Sequence, residues 1–377
     1  MPHAGANINH DILVIGASTG GIDAIRGLMA GLPADLPAAV FVVIHIDPVH
    51  ETHLAELLAR PGGMPAQVAR DGEVVRPGHI LVAPADHHLM VRAGHVEINH
   101  GPRENSHRPA VDALFRTAAA AYGPRVIGVV LTGHRDCGTA GLLSIKARGG
   151  IAVVQDPTDA VAPQMPSSAI AHVDVDHVTR LAELPALLIQ LVGAEAAPWP
   201  SVVLPEIQQM EGAKAGDPDV ELVCPSCQGK LTVGGTEGFP MFRCHVGHVF
   251  TLQSLTAEQA DEVERALWAS ARALEEGAAL SGRVAASMNG SMRQRLLDKE
   301  QTQRDQAQVI RGLILGGASL SPADAARLAP GAELPLSPAT DTILAGSEDR
   351  PGAAAVGLLA PVQPNGAPKA RAKGPPR

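Results

Sequence analysis

The apolar run Ile12-Leu13-Val14-Ile15 leads directly into Gly16-Ala17-Ser18-Thr19-Gly20-Gly21, and this junction constrains the fold more than any other stretch of the chain. A buried strand, a glycine-rich turn and an amphipathic stretch over 20–31 define a βα unit. Glycines on both sides of Ser18 let the backbone follow a tight, partly positive-φ path, and the helix amides behind it point at any negative charge that develops there. The G-x-S-x-G spacing is that of a nucleophile elbow, which presents a serine hydroxyl at the edge of a sheet. A turn that binds a nucleotide phosphate, or one that merely closes the unit, fits the same residues.

The pattern continues to about residue 195. Strands are predicted at 11–16, 39–46, 125–131 and 151–154, with helices at 20–31, 50–60, 109–122 and 138–148. Such alternation predicts a mainly parallel sheet covered by helices. Segments 79–83, 88–92 and 95–99 are short and bounded by Gly and Pro, which predicts a β-hairpin insertion turning at Arg92-Ala93-Gly94. A closing helix is expected over 181–191. With aromatic residues at only 2%, the core must be aliphatic. The net charge of −9 argues against a nucleic-acid partner. No apolar stretch is long enough to span a membrane and no secretory signal opens the chain, so a cytoplasmic protein without membrane insertion is expected.

Beyond a linker at 196–220, Cys224-Pro-Ser-Cys227 and, after a 16-residue spacer, Cys244-His245-Val246-Gly247-His248 supply two pairs of metal ligands. Three cysteines with one histidine suit a structural zinc ion. His248 is favoured over His245 as the fourth ligand, because the C-x3-H spacing lets Gly247 turn the chain. This unit, 221–252, is expected to be zinc-ribbon-like. Thr256-Ala257-Glu258-Gln259 offers a capping box for a helix, and a second helix is expected at 291–315. The pair over 255–315 forms either an antiparallel hairpin or a homodimerising coil. The Ala-, Pro- and Gly-rich stretch 316–377 is expected to be disordered.

A serine elbow needs a base. His45 ends the next predicted strand, Val40-Phe-Val-Val-Ile-His45, and neighbouring parallel strands deliver their C-terminal ends to one edge. Leu131-Thr-Gly133-His134-Arg135-Asp136-Cys137-Gly138-Thr-Ala-Gly141 brings a carboxylate, Asp136, to that edge. Together with Arg108-Pro-Ala-Val-Asp112 and Val154-Gln-Asp-Pro157, these segments make residues 10–192 resemble the catalytic domain of the chemotaxis protein-glutamate methylesterases, the CheB family. The resemblance implies a doubly wound α/β fold. It also implies hydrolysis of glutamate γ-methyl esters on chemoreceptor helices, in a pathway shared with a methyltransferase, and in some members glutamine deamidation. No catalytic cofactor is implied. Carried over by position, Ser18 is the nucleophile, His45 the general base, and amides near Thr19 and His134 the oxyanion donors.

One departure concerns the third member of the triad. The family places its aspartate immediately before the glycine of the second turn, where this chain has Cys137, and Asp136 lies one residue earlier. Three readings stand open: Asp136 reaches His45 through a local adjustment, Ser18 and His45 act as a dyad, or the domain is a receptor-binding adaptor without chemistry. A first strand near residue 11 also leaves no room for the family's preceding receiver domain, so control by aspartyl phosphate in cis is expected to be absent. A nucleotide-binding reading would need a ribose-binding acidic residue after the second strand, where Asp47 sits beside Pro48.

Overall fold

The computed structural model describes residues 9–46, 53–59, 62–200, 222–236 and 238–316. The linker stretch 201–221, the tail beyond 316 and Asp47 lie outside them. The first part of the chain is an α/β domain. Its strands are β1 (Ile12–Ala17), β2 (Ala39–Ile44), β3 (Ala66–Val68), β4 (Ile80–Val82), β7 (Val126–Val130), β8 (Ile151–Gln155) and β9 (His177–Thr179), in the spatial order β3-β4-β2-β1-β7-β8-β9, and every neighbouring pair is parallel. The antiparallel hairpin of β5 (His88–Arg92) and β6 (His95–Asn99) is a separate two-stranded sheet.

Side chains alternate between the two faces of the sheet, which creates two cores. Val14, Phe41, Val43 and Val130 pack on one side with Leu114 and Phe115 of α3 (Val111–Tyr122), Leu142 of α4 (Thr139–Lys146) and Met165 of α5 (Gln164–His172). Leu13, Ile15, Val40 and Val42 pack on the other with Ile25 and Leu28 of α1 (Gly21–Ala30), Leu54 of α2 (Leu54–Leu58) and Leu188 of α6 (Leu184–Leu191). This is the doubly wound arrangement expected from the alternating elements. Residues 79–83 depart from expectation. Ile80–Val82 is a central strand of the parallel sheet rather than part of the hairpin, because all three residues are buried and pair with β2 and β3. The short strands β3 and β9 and the helix α5 escaped sequence reading, since three-residue strands carry too little alternation to register.

A three-stranded antiparallel sheet follows, made of β10 (Leu231–Thr236), β11 (Phe239–Cys244) and β12 (Val249–Thr251). Phe239, Met241 and Val249 pack on Ala140, seating this ribbon on α4. The chain then enters α7 (Leu252–Ala286) and returns in α8 (Gly290–Gly316). Small residues Ala271, Ala278 and Ala285 of α7 are buried, as are Ala307 and Ile310 of α8, where the two helices pack against each other as an intramolecular hairpin.

The start of α7 also differs from the expected capping box at Thr256. Thr251 is the N-cap, its Oγ1 accepting from the Ser254 amide at 3.1 Å, while the Thr256 hydroxyl donates to the Leu252 carbonyl inside the helix. The ribbon strand runs directly into the helix, which moves the first free amides five residues upstream. Thr251→Ala should therefore destabilise the protein by about 1–2 kcal/mol and Thr256→Ala by less than about 0.5 kcal/mol. Urea midpoints at an unchanged m-value would measure both, and equal effects would count against Thr251 as the cap.

Candidate active site

The central strand β1 has β2 on one side and β7 on the other, so a crevice opens beyond its C-terminal end. Ser18 follows β1 directly, and its amide donates to the Thr132 carbonyl beyond β7 at 2.9 Å. His45 follows β2, with its amide donating to the Ala17 carbonyl at 3.2 Å. Both residues, with Thr19, Gly20, Gly21 and Ile44, line an open depression of about 320 Å³. Gly20 takes φ 76° to turn the chain into α1. Gly133 presses against Met165 and lies so close to Ser18 that a methyl group there would come within 2.8 Å of the serine Cβ.

His45 has an edge on the depression, but both ring nitrogens are buried and have no hydrogen-bond partner among the described residues. Its ring is stacked on His107 at 3.5 Å between centroids and 10° between planes. His107 is held in turn by an Nδ1–H bond to the Asn105 carbonyl at 2.6 Å, which fixes its tautomer. Burial, followed by the neighbouring His107 and Arg135, holds His45 well below the usual imidazole range. Burial likewise lowers His107 to about 4. His107 and Asn105 were missed by sequence reading, although they directly precede the Arg108-Pro-Ala-Val-Asp112 motif.

Asp136 is 3% exposed and makes no hydrogen bond to His45. It accepts from the Ser254 hydroxyl at 3.2 Å, and Thr251 also bonds it. Burial raises its pKa, against these two hydrogen bonds. The expected Asp136–His45 pairing is thus not formed, because the carboxylate is engaged by the first turn of α7. Cys137 does not supply a substitute: it is 1% exposed within the apolar core, and burial holds its thiol well above the ordinary range. A buried carboxylate one motif away, Asp112, instead braces this turn, with Oδ1 accepting from the Gly138 and Gly141 amides at 2.9 and 2.7 Å.

Thr19 lines the depression, and both Thr19 and His134 are exposed. Their backbone amides donate to no acceptor among the described residues, whereas the Gly133 amide is occupied by the Ala162 carbonyl at 2.9 Å. Farther along, Cys224, Cys227, Cys244 and His248 converge, with all four donor atoms within 4.8 Å of one another. The Cys227–Cys244 sulfurs are 3.6 Å apart, and His248 Nδ1 lies 3.7 and 3.5 Å from the Cys224 and Cys244 sulfurs. His245 is outside this set, its ring packed over Gly229.

These features define an α/β protein with a serine elbow and a histidine at the switch point of a parallel sheet. The CheB methylesterase family model matches residues 13–188. A putative protein-glutamate methylesterase/protein-glutamine glutaminase from Leptospira interrogans is 36% identical over 185 residues, covering 49% of this chain and 96% of that protein. The chain belongs to the CheB methylesterase family. A protein-glutamate methylesterase/protein-glutamine glutaminase from Geobacter metallireducens is 37% identical over 192 residues, or 50% of this chain. The chain spans about half the length of that relative and of one from Anaeromyxobacter dehalogenans, 53% and 51% respectively. The crystal structure of the Thermotoga maritima CheB methylesterase catalytic domain is 35% identical, with 49% of this chain and 100% of that one covered at a TM-score of 0.47.

The buried histidines set a direction for acid sensitivity. An unfolded histidine titrates near 6.5, so between about pH 6.5 and the lowered folded values the unfolded chain binds more protons, and stability falls as pH drops. Each of His45 and His107 contributes a slope of at most about 1.4 kcal/mol per pH unit. His107→Asn should flatten the decline between about pH 6.5 and 4.5 in urea unfolding, and a slope equal to wild type would refute this origin.

Proposed function

We propose that the protein hydrolyses γ-methyl esters of glutamate side chains on chemoreceptor helices. In this reading the Ser18 Oγ attacks the ester carbonyl carbon while His45 takes the hydroxyl proton. The amides of Thr19 and His134 stabilise the tetrahedral oxyanion. The C–O bond to methoxide breaks, His45 returns the proton, and methanol leaves. Water then cleaves the Ser18 acyl-enzyme by the same route, releasing the glutamate carboxylate and restoring the serine. The same attack on a glutamine side chain would release ammonia, as the names of the Leptospira and Geobacter relatives imply for those proteins. The observation that carries the reading is the meeting of Ser18 and His45 in one depression at the ends of adjacent parallel strands.

With Asp136 engaged elsewhere and Cys137 in the core, the machinery is a Ser18–His45 dyad. An orienting aspartate fixes the histidine tautomer and stabilises the imidazolium, and losing it in serine proteases lowers kcat by about 10⁴. That same observation favours one competing reading, a receptor-binding adaptor without turnover. Methanol release from a methylated receptor fragment decides between them. Ser18→Ala should reduce turnover to background and His45→Gln should lower it by about 10²–10⁴-fold. Absence of Ser18-dependent methanol release from the wild type and from Cys137→Asp alike would establish the adaptor. The substrate pathway would be one shared with a receptor methyltransferase, and dimerisation through 255–315 is a separate proposal that sedimentation would test.

We further propose that Cys224, Cys227, Cys244 and His248 hold a structural zinc ion. Bond lengths of about 2.3 Å to sulfur and 2.0 Å to nitrogen give tetrahedral edges of about 3.5–3.8 Å, which the measured separations of 3.5, 3.6 and 3.7 Å match. Four protein ligands close such a site to water, so the ion would brace the ribbon and take no part in ester hydrolysis. The purified protein should contain one zinc per chain, and Cys227→Ser should lose it and lower Tm. Wild type free of bound zinc would exclude the assignment.

A further inference from the structure

The junction between ribbon and helix touches both groups on which His45 depends. On one side, the Asn105 amide donates to the Val249 carbonyl at 2.7 Å, and the Thr251 amide donates to Asn105 Oδ1 at 2.9 Å. Asn105 carries His107 on its carbonyl, and His107 lies flat against His45. On the other side, the Ser254 hydroxyl holds the Asp136 carboxylate. Arg135, at φ 62°, pairs with Glu258 at 3.5 Å and with Asp261 at 3.6 Å on the same helix. Residues 249–261 therefore grip the histidine's stacking partner and the Asp136 carboxylate at once.

The cost of this arrangement falls on His45. Both ring nitrogens are buried and find no partner among the described residues, so the ring forfeits hydrogen bonds it would make in water. The ring is prevented from turning by the stack, and the carboxylate by Ser254. Arg135 and Asp136 are consecutive, so loosening Glu258 and Asp261 also frees the carboxylate to swing.

We propose that the segment from Val249 to Asp261 is an intramolecular brake, which holds His45 and Asp136 apart and yields a working triad when the first turns of α7 are displaced. A partner that pulls on the α7–α8 hairpin would act as the releasing agent, since α7 transmits displacement directly to Ser254, Glu258 and Asp261.

The activity arm rests on the esterase reading, and a second arm does not. Full-length wild type would be compared with Ser254→Ala, the hydroxyl-retaining Ser254→Thr, and the double variant Glu258→Lys/Asp261→Lys, in which Glu258 is partly buried and Asp261 is exposed. The first readout is methanol release. The second is the rate at which diethyl pyrocarbonate modifies His45, read by mass spectrometry of its peptide. Ser254→Ala and the double variant should raise both rates roughly tenfold, the population shift expected from losing a hydrogen bond to a charged group. Ser254→Thr should match wild type. Unchanged or slower His45 modification in Ser254→Ala and in the double variant would overturn the brake, whatever happens to Tm. Faster modification with no methanol released by any version would uphold the brake and sink the proposed activity instead.

Discussion

Six registered pairs join β1 to β2 and five join β1 to β7, and the rest of the molecule depends on this central parallel pairing. Because all three strands run the same way, the residues that follow Ala17, Ile44 and Val130 must emerge at one edge. The backbone bonds from Ser18 to Thr132 and from His45 to Ala17 extend the ladder past the formal strand ends. They place the serine elbow by main-chain geometry alone. Apolar packing on both faces then makes the placement rigid, since a one-residue slip of β1 would exchange Val14 for Leu13 and Ile15 between the two cores.

The ribbon and hairpin add a second set of constraints at that edge. Val249 joins the apolar contact with Ala140 on α4, and the same strand pairs with Glu104 and Asn105 in the loop that carries His107. Glu104 is itself a buried carboxylate. Burial alone would raise its pKa, but the ion pair with Arg116 brings it down to about 2, which anchors the loop to α3. Asn105 links the two systems, donating from Nδ2 to Asp112 at 2.8 Å while accepting from the Thr251 amide. Helix α3, the turn 133–138 and the ribbon consequently share one polar network. His45 sits beside this network without joining it.

Most of this architecture was legible in the chain because the long elements carry their own periodicity. Strands β1, β2, β7 and β8 are near-continuous aliphatic runs, and α1 and α3 present apolar residues at helical spacing. The segment 80–82 was misassigned because proximity in sequence to the hairpin said nothing about its pairing with β2, a contact across roughly forty residues. The placement of Ser18 and His45 at one edge of the sheet was readable from the strand-then-turn pattern. The stack of His107 on His45 was not, since no local spacing encodes which two loops approach each other. Thr251 was missed as a cap because the ribbon strand and α7 are continuous, without the break that ordinarily marks a helix start.

The position of the carboxylate shows how a single step along the chain redirects chemistry. In the turn 133–138, Cys137 points into the apolar core beside Val111 and Val130, while its neighbour Asp136 points toward the ribbon. A carboxylate at 137 would lie against Asp112, where two buried acids oppose each other's ionisation. At 136 it finds two hydroxyls that suit its charge, Thr251 and Ser254. The thiol at 137 is therefore compatible with a core that the network around Asp112 already fills, and the aspartate at 136 gains partners at the junction of β12 and α7. The same step thus leaves a thiol in the core and ties the turn 133–138 to α7. Any motion of that helix acts on Asp136 through a hydrogen bond rather than through a distant chain of packing contacts.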